Sequence, residues 1–269
     1  LGALFRGLEV FLIGYGFRIV EWLIGGGQTK DAMSMWKVDV LQCIGLSLMV
    51  TAYVASPKDL DDRRIPWRPL LAALLVAAIT PTLQKLGSPS GPGPLVAYLW
   101  PGANPLGQFP LFPWLAYTLT GAAVGSWWLR AARHNRLSQV MWWSVALGLL
   151  CWLAGYGLET LHLSVFSSTK TIKVDPPFIF CNRIAFCLIG TAASYFIEQL
   201  RLTDGFSPTR IMGQASLTVY MVHLDIVYNS APYTIKQKLD PITATMLWLV
   251  LTVLMVVVAW FRIEGDRKT

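Results

Sequence analysis

Charged residues are scarce in this sequence. Asp, Glu, Lys and Arg make up 14% of the 269 residues, whereas 54% are apolar and the mean hydropathy is +0.50. A soluble domain has about 25% charged residues, so this chain is too poor in charge to cover a water-exposed surface. The 12 Trp and 9 Tyr suit a bilayer, because such rings collect at its two interfaces. We therefore predict an integral membrane protein whose main partner is the lipid bilayer.

Motifs of soluble enzymes are also missing. The sequence has no nucleophile elbow, Walker loop, HExxH pair or haem-attaching CxxCH. Its four cysteines, Cys43, Cys151, Cys181 and Cys187, lie in apolar segments without CxxC spacing and without a histidine cluster. This pattern predicts cysteines used for packing, no metal site and no tightly bound cofactor.

Long apolar segments take the place of such motifs. A membrane-spanning helix needs about 20 mainly apolar residues, and eight segments approach that length. They predict an all-α polytopic transmembrane helix bundle forming a single domain, residues 1–269. The third segment is weakened by Thr80, Pro81 and Thr82, and the seventh is polar enough to face protein rather than lipid. The predicted spans are 4–24, 38–55, 70–86, 111–129, 140–161, 178–197, 211–228 and 242–261.

The basic residues predict the orientation of the bundle. The net charge of +7 is dispersed between apolar runs, which excludes a nucleic-acid-binding patch. The loops after the second, fourth and sixth spans, with the C-terminal tail, hold twelve Lys and Arg, against seven on the opposite side when Lys85 at the end of the third span is counted. The positive-inside rule then places both termini in the cytoplasm. The Pro- and Gly-rich connection 87–110 is expected on the external side as an ordered loop or re-entrant segment.

Several polar side chains fall at membrane depth, where each must pair, line a cavity or serve function. Arg18 either pairs with Glu21, three residues on, or meets an anionic ligand in a cavity. Asp39 and Gln42 lie one turn apart at the start of the second span, where Asp39 is either a helix-terminal charge or a ligand contact. The candidate ligand-binding residues are Arg18, Asp39, Gln42, Asn182 and Arg183.

One histidine is a candidate for chemistry. His223 and Asp225 end the polar seventh segment, GQASLTVYMVHLD. An imidazole can take up a proton near neutral pH, so His223 is the candidate base. The alternative is a structural histidine that hydrogen-bonds a neighbouring helix.

Five stretches, in chain order, resemble one family. They are RGLEVFLIGYGFR, DVLQCIGLSLMV, QFPLFPWLAYTLTGAAVG, DPPFIFCNRIAFCLIG and MGQASLTVYMVHL. Together they resemble the bacterial membrane proteins related to heparan-alpha-glucosaminide N-acetyltransferase, within the transmembrane acyltransferases. The resemblance implies a bacterial inner-membrane protein that moves an acyl group from cytosolic acyl-CoA, its co-substrate, to a sugar or glycan on the far side.

Such a reaction needs cations for the CoA phosphates at the cytoplasmic face. Two predicted cytoplasmic loops supply them. The candidate phosphate contacts are Arg63, Arg64, Arg68, Arg130, Arg133 and Arg136.

The first span here resembles the third of the family, whose catalytic histidine is associated with the region upstream. Three explanations stay open: the sequence is part of a longer protein, a second polypeptide supplies those helices, or catalysis has been lost. The last would leave a structural subunit of a larger membrane complex, with other membrane subunits or a second copy of the chain as partners. A transporter or flippase is the remaining alternative, suggested by the interrupted third span and by Arg183.

Overall fold

The computed structural model describes residues 2–24, 36–55, 67–86, 94–99, 109–160, 177–200, 207–224, 226–227 and 239–268. These residues form α-helices and no β-strand, which confirms the predicted all-α class. By contact density the chain divides into two compact units, residues 1–196 and 197–269. The single-domain assignment stays a prediction.

The first unit contains most of the helices. In chain order they are α1 Gly2–Ile24, α2 Val40–Val54, α3 Trp67–Leu86, α4 Pro94–Leu99, α5 Leu111–Arg133, α6 Leu137–Thr160 and α7 Pro177–Gln199, the last of which ends just beyond the unit. Its hydrophobic core lies between α3 and α5, where Ala73 and Val76 pack against Leu115, Ala116 and Leu119. In the second unit, α8 Pro208–Gln214 and α9 Ser216–Leu224 pack on α10 Pro241–Lys268.

Within the described residues, three helical stretches are long and apolar enough to cross a membrane: Leu137–Thr160, Ile179–Gln199 and Pro241–Gly265. Val40–Val54 and Trp67–Leu83 are shorter apolar helices. The protein is therefore an integral membrane protein, while the count of eight spans stays a prediction.

The third predicted span forms a more continuous helix than the sequence suggested. α3 continues through Pro81 to Leu86. The Thr80 hydroxyl, fully inside the fold, donates to the Val76 carbonyl at 2.7 Å, so this polar side chain is satisfied within its own helix. Hydroxyl side chains of this kind are one reason that proline is tolerated in membrane helices.

The seventh predicted span, 211–228, is divided between two helices in the part that the structure describes, and its crossing of the membrane stays a prediction. Ser207 caps α8 by accepting a hydrogen bond from the Arg210 N–H, and Pro208 follows it, so the helix begins earlier than predicted. The helix is then interrupted at Ala215, with φ −99° and ψ 25°. Gly213 and Ser216 flank this position and are weaker helix formers than Ala or Leu, which favours an interruption here.

Candidate functional site

Glycines bring the first two helices into close contact. A Cβ built on Gly45 would lie 2.7 Å from the Gly7 carbonyl oxygen, and one on Gly14 would lie 3.0 Å from the carboxamide carbon of Gln42. Such close approach of helix backbones is typical of small residues in membrane bundles. This packing brings the C-terminal half of α1 alongside the first turn of α2.

An ion pair joins the two helices at this point. Arg18 on α1 donates from Nη2 to Oδ2 of Asp39 at 2.6 Å, and both side chains are largely buried, at 13% and 27% exposure. Asp39 is also the N-cap of α2: its Oδ1 accepts from the Val40 N–H at 2.8 Å. Its own N–H donates to Oε1 of Gln42 at 3.2 Å. The three predicted residues Arg18, Asp39 and Gln42 therefore form one hydrogen-bonded network.

The amide of Gln42 is only half satisfied. The side chain is completely buried, and among the described residues its Nε2 has no hydrogen-bond partner. A buried donor without an acceptor costs about 1–3 kcal/mol. An acceptor oxygen on a ligand would satisfy this donor, so Gln42 Nε2 is a candidate ligand contact.

Aromatic rings lie beside this network. The hydroxyls of Tyr15 and Tyr98 share a hydrogen bond of 2.5 Å, Phe11 stacks on Tyr98, and the Trp36 ring meets Tyr15 edge to face. We call Phe11, Tyr15, Trp36 and Tyr98 the aromatic cluster. Burial raises the pKa of Tyr98, and the hydrogen bond with Tyr15 raises it further. The phenol therefore stays protonated and able to donate.

A second polar group lies at the start of α7. The Arg183 guanidinium stands over the rings of Trp114 and Tyr117, at 5.4 and 5.8 Å from their centres. The neighbouring Asn182 has a buried Oδ1 without a hydrogen-bond partner in the described part of the chain.

This second group lies at the same end of the first unit as the ion pair. Trp114 and Tyr117 belong to the first two turns of α5, and the residue before that helix, Pro110, accepts a hydrogen bond from the Cys43 thiol of α2 at 3.9 Å. All five predicted ligand-binding residues therefore stand at the ends of helices that meet on one side of the unit.

The six arginines predicted to contact CoA lie in different parts of the chain. Arg63 and Arg64 lie outside the described residues. Arg68, at the start of α3, stands over the Trp67 ring at 5.8 Å. Arg130 and Arg136 line a groove of about 1040 Å³ between α5 and α6, and Arg133 does not.

His223, the predicted base, lies in the second unit. Its Nδ1 is 3.1 Å from the Val219 carbonyl, which can only accept a hydrogen bond. Nδ1 therefore carries a proton and donates it in this hydrogen bond. The Tyr220 ring packs against the imidazole edge to face at 5.4 Å. Asp225 lies outside the described residues.

Comparison with known proteins identifies the family. Residues 2–167 match the family described as heparan-alpha-glucosaminide N-acetyltransferase, catalytic. This stretch is more than half of the chain. The chain belongs to this family. No curated protein and no solved structure gives a significant match.

Family membership makes the chain an acyltransferase-like membrane protein. The Arg18, Asp39 and Gln42 network and the aromatic cluster lie inside the matched segment, whereas Asn182, Arg183 and His223 lie beyond it. The α1–α2 contact therefore lies in the part of the chain that matches the family.

Sequence reasoning identified the residues of this network but not their pairing. It paired Arg18 with Glu21, whose side chain is outside the described residues, or with an anionic ligand, while the structure pairs it with Asp39. It also missed Tyr15 and Tyr98. Tyr15 could have been found from its spacing, because it precedes Arg18 by three residues and so shares its helix face. Tyr98 had no such signal.

Proposed function

We propose that this protein transfers an acyl group from cytosolic acyl-CoA to an amine or hydroxyl of a sugar on the opposite side of the membrane. The observation that carries the proposal is the buried network of Arg18, Asp39 and Gln42 within the family-matched segment. The family description names an aminosugar as acyl acceptor, and an aminosugar is accordingly the first acceptor to test.

The network and the aromatic cluster have the composition of a sugar site. Ligand sites combine aromatic walls with a few fixed polar groups that set orientation. Phe11 and Tyr15 supply ring surface, and Gln42 Nε2 supplies a donor for a hydroxyl or carbonyl oxygen of the acceptor. Arg18 holds Asp39, and Asp39 in turn holds the Gln42 amide, so the polar groups are ordered before the acceptor arrives.

The transfer forms one covalent bond, breaks another and moves one proton. The acceptor nitrogen or oxygen attacks the thioester carbonyl carbon, the carbon–sulfur bond breaks, and CoA leaves as its thiolate. The proton lost by the acceptor goes to a base and then to the thiolate. We keep His223 as the candidate base, as predicted from the sequence; its Nδ1 lies 3.1 Å from the Val219 carbonyl, inside the second unit.

CoA is bound through its phosphates. We retain Arg63, Arg64, Arg68 and Arg133 as phosphate contacts on the side to which the positive-inside rule assigns the cytoplasm. Arg130 and Arg136 face the groove between α5 and α6 instead. We also propose that the protein lies in the bacterial inner membrane with both termini in the cytoplasm.

A matched pair of substitutions tests the acceptor site. Asp39→Asn removes a carboxylate from the 2.6 Å pair inside the site, and Glu9→Gln removes one from the 2.7 Å pair with Arg6, whose side chains are exposed at the other end of α1. Purified protein in proteoliposomes is given acetyl-CoA and glucosamine-terminated oligosaccharide, and product is measured by mass spectrometry.

Asp39→Asn is expected to raise the KM for the oligosaccharide about tenfold, because it weakens the charge-assisted bond to Arg18 that orders the network, and to leave the KM for acetyl-CoA unchanged. Glu9→Gln is expected to match the unmodified protein. Equal KM values for the two variants would contradict this acceptor site, and no acetyl transfer by the unmodified protein to any aminosugar would refute the proposed activity.

A further inference from the structure

The groove between α5 and α6 has a charged end and an apolar end. We propose that it binds one anionic phospholipid, with the lipid phosphate at Arg130 and Arg136 and an acyl chain along α6. The groove measures about 1040 Å³. It lies wholly within the first unit and is separate from the Arg18, Asp39 and Gln42 network.

The charged end is built by a tight helix–helix turn. Asn135 has the left-handed φ of 54°, its N–H bonds to the Ala132 carbonyl, and the Arg136 N–H bonds to the Ala131 carbonyl at 2.8 Å. This pair of bonds is the Schellman ending of a helix. It holds Arg136 at the start of α6, directly beside the last turn of α5 that carries Arg130, and so places two guanidinium groups at one mouth of the groove.

The apolar end extends along one stripe of α6. Arg136, Val140, Trp143, Leu147 and Leu150 line it at spacings of three or four residues. From Arg136 to Leu150 the stripe is about 21 Å long at 1.5 Å per residue. One leaflet of hydrocarbon is about 15 Å deep. The groove therefore has the length of a headgroup region followed by one lipid chain.

The exposure of this stripe favours a lipid over acyl-CoA. Trp143 and Leu150 are 60% and 62% exposed, and α6 is long and apolar enough to cross a membrane. A hydrocarbon chain packs favourably on such an apolar surface, whereas the amides and hydroxyls of CoA would lose their hydration there. Basic pockets between membrane helices are typical sites for anionic lipid headgroups.

Native mass spectrometry tests the proposal. The full chain is released from nanodiscs that contain phosphatidylglycerol and phosphatidylcholine with identical acyl chains. The measured quantity is the ratio of bound phosphatidylglycerol to bound phosphatidylcholine. We expect a preference for the anionic lipid that falls about fivefold for each of Arg130→Gln and Arg136→Gln. Arg133→Gln removes the same charge from the same turn but lies outside the groove lining, so it should keep the preference.

A second variant tests the apolar end with all arginines in place. Ala146 is an exposed residue of the groove lining, so Ala146→Phe should fold normally and fill the space for the chain. We expect it to lower retention of phosphatidylglycerol at least fivefold. Unchanged retention would overturn the proposal, as would equal lipid preference in Arg136→Gln and Arg133→Gln. A raised KM for acetyl-CoA in Arg130→Gln with unchanged lipid preference would assign the groove to CoA instead.

Discussion

Replacing Gly45 with alanine should loosen the contact between α1 and α2 on which the proposed acceptor site depends. The added methyl would lie 2.6 Å from the Phe11 backbone nitrogen and 2.7 Å from the Gly7 carbonyl oxygen. Both are backbone atoms, so a side chain cannot rotate away to make room. The two helices must separate by several tenths of an ångström.

The size of the effect follows from two opposing terms. Overpacking a close contact costs about 1–3 kcal/mol, while alanine gains up to about 1 kcal/mol over glycine as a helix former. Gly16, also inside α1, has no atom of the described residues within 4 Å of the position that an added methyl would take, so Gly16→Ala has the second term alone. The difference in free energy of unfolding between the two variants should therefore be about 1–3 kcal/mol, with Gly45→Ala the less stable.

Unfolding in mixed micelles titrated with a denaturing detergent measures this difference. The same samples should show a higher acceptor KM for Gly45→Ala than for Gly16→Ala, because separation of the helices moves Arg18 away from Asp39. Equal stability of the two variants would refute the close packing of α1 and α2. Unequal stability with equal KM would refute the link between packing and site.

Two further outcomes are expected away from the site. The Trp128 indole donates to Ser144 Oγ at 2.9 Å, between α5 and α6. A double-mutant cycle of Trp128→Phe and Ser144→Ala should therefore give a coupling of about 0.6 kcal/mol in free energy of unfolding, the usual size for a hydrogen bond between membrane helices. Additive effects of the two substitutions would contradict this hydrogen bond. Hydrogen bonds from Thr243 hold the pKa of Asp240 below its ordinary value of 3.8. The ionised Asp240 carboxylate therefore stabilises the first turn of α10 fully above pH 3.8, and this stabilisation is lost as the pH falls through the lower pKa of the folded state. The protection factor of the Thr243 amide, its exchange rate relative to an unstructured peptide at the same pH, should therefore fall on acidification in the unmodified protein but not in Asp240→Asn, and identical profiles would argue against the cap.

The helical class and the candidate polar residues could be predicted from sequence because each depends on local information. Charge scarcity and apolar length predict helices in a membrane, and a charge placed at membrane depth is conspicuous wherever it occurs. The pairing of Arg18 with Asp39 was not predicted, since it depends on how α1 packs against α2 across 21 positions of sequence. The interruption at Ala215 was missed for a related reason: Gly213 and Ser216 weaken the helix around it without breaking the hydropathy pattern.

Pairing across helices also decides what the site can do. Asp39 appeared from sequence as a helix-terminal charge or a ligand contact, and the structure makes it an N-cap that also holds Arg18 and the Gln42 amide. Its carboxylate is occupied by the protein, which leaves Gln42 Nε2 as the group to meet a substrate. This distinction depends on capping geometry and burial, which cannot be read from residue types alone.

Sided proteoliposomes test the central claim most directly. Acetyl-CoA labelled in the acetyl group is added outside vesicles that hold glucosamine-terminated oligosaccharide inside, with the protein oriented so that the Arg-rich loops face out. We predict labelled, N-acetylated oligosaccharide inside the vesicles, formed in proportion to CoA released outside, and a lower rate with Asp39→Asn at limiting acceptor. Release of CoA without labelled oligosaccharide, or label that enters only as intact acetyl-CoA, would contradict transfer across the membrane.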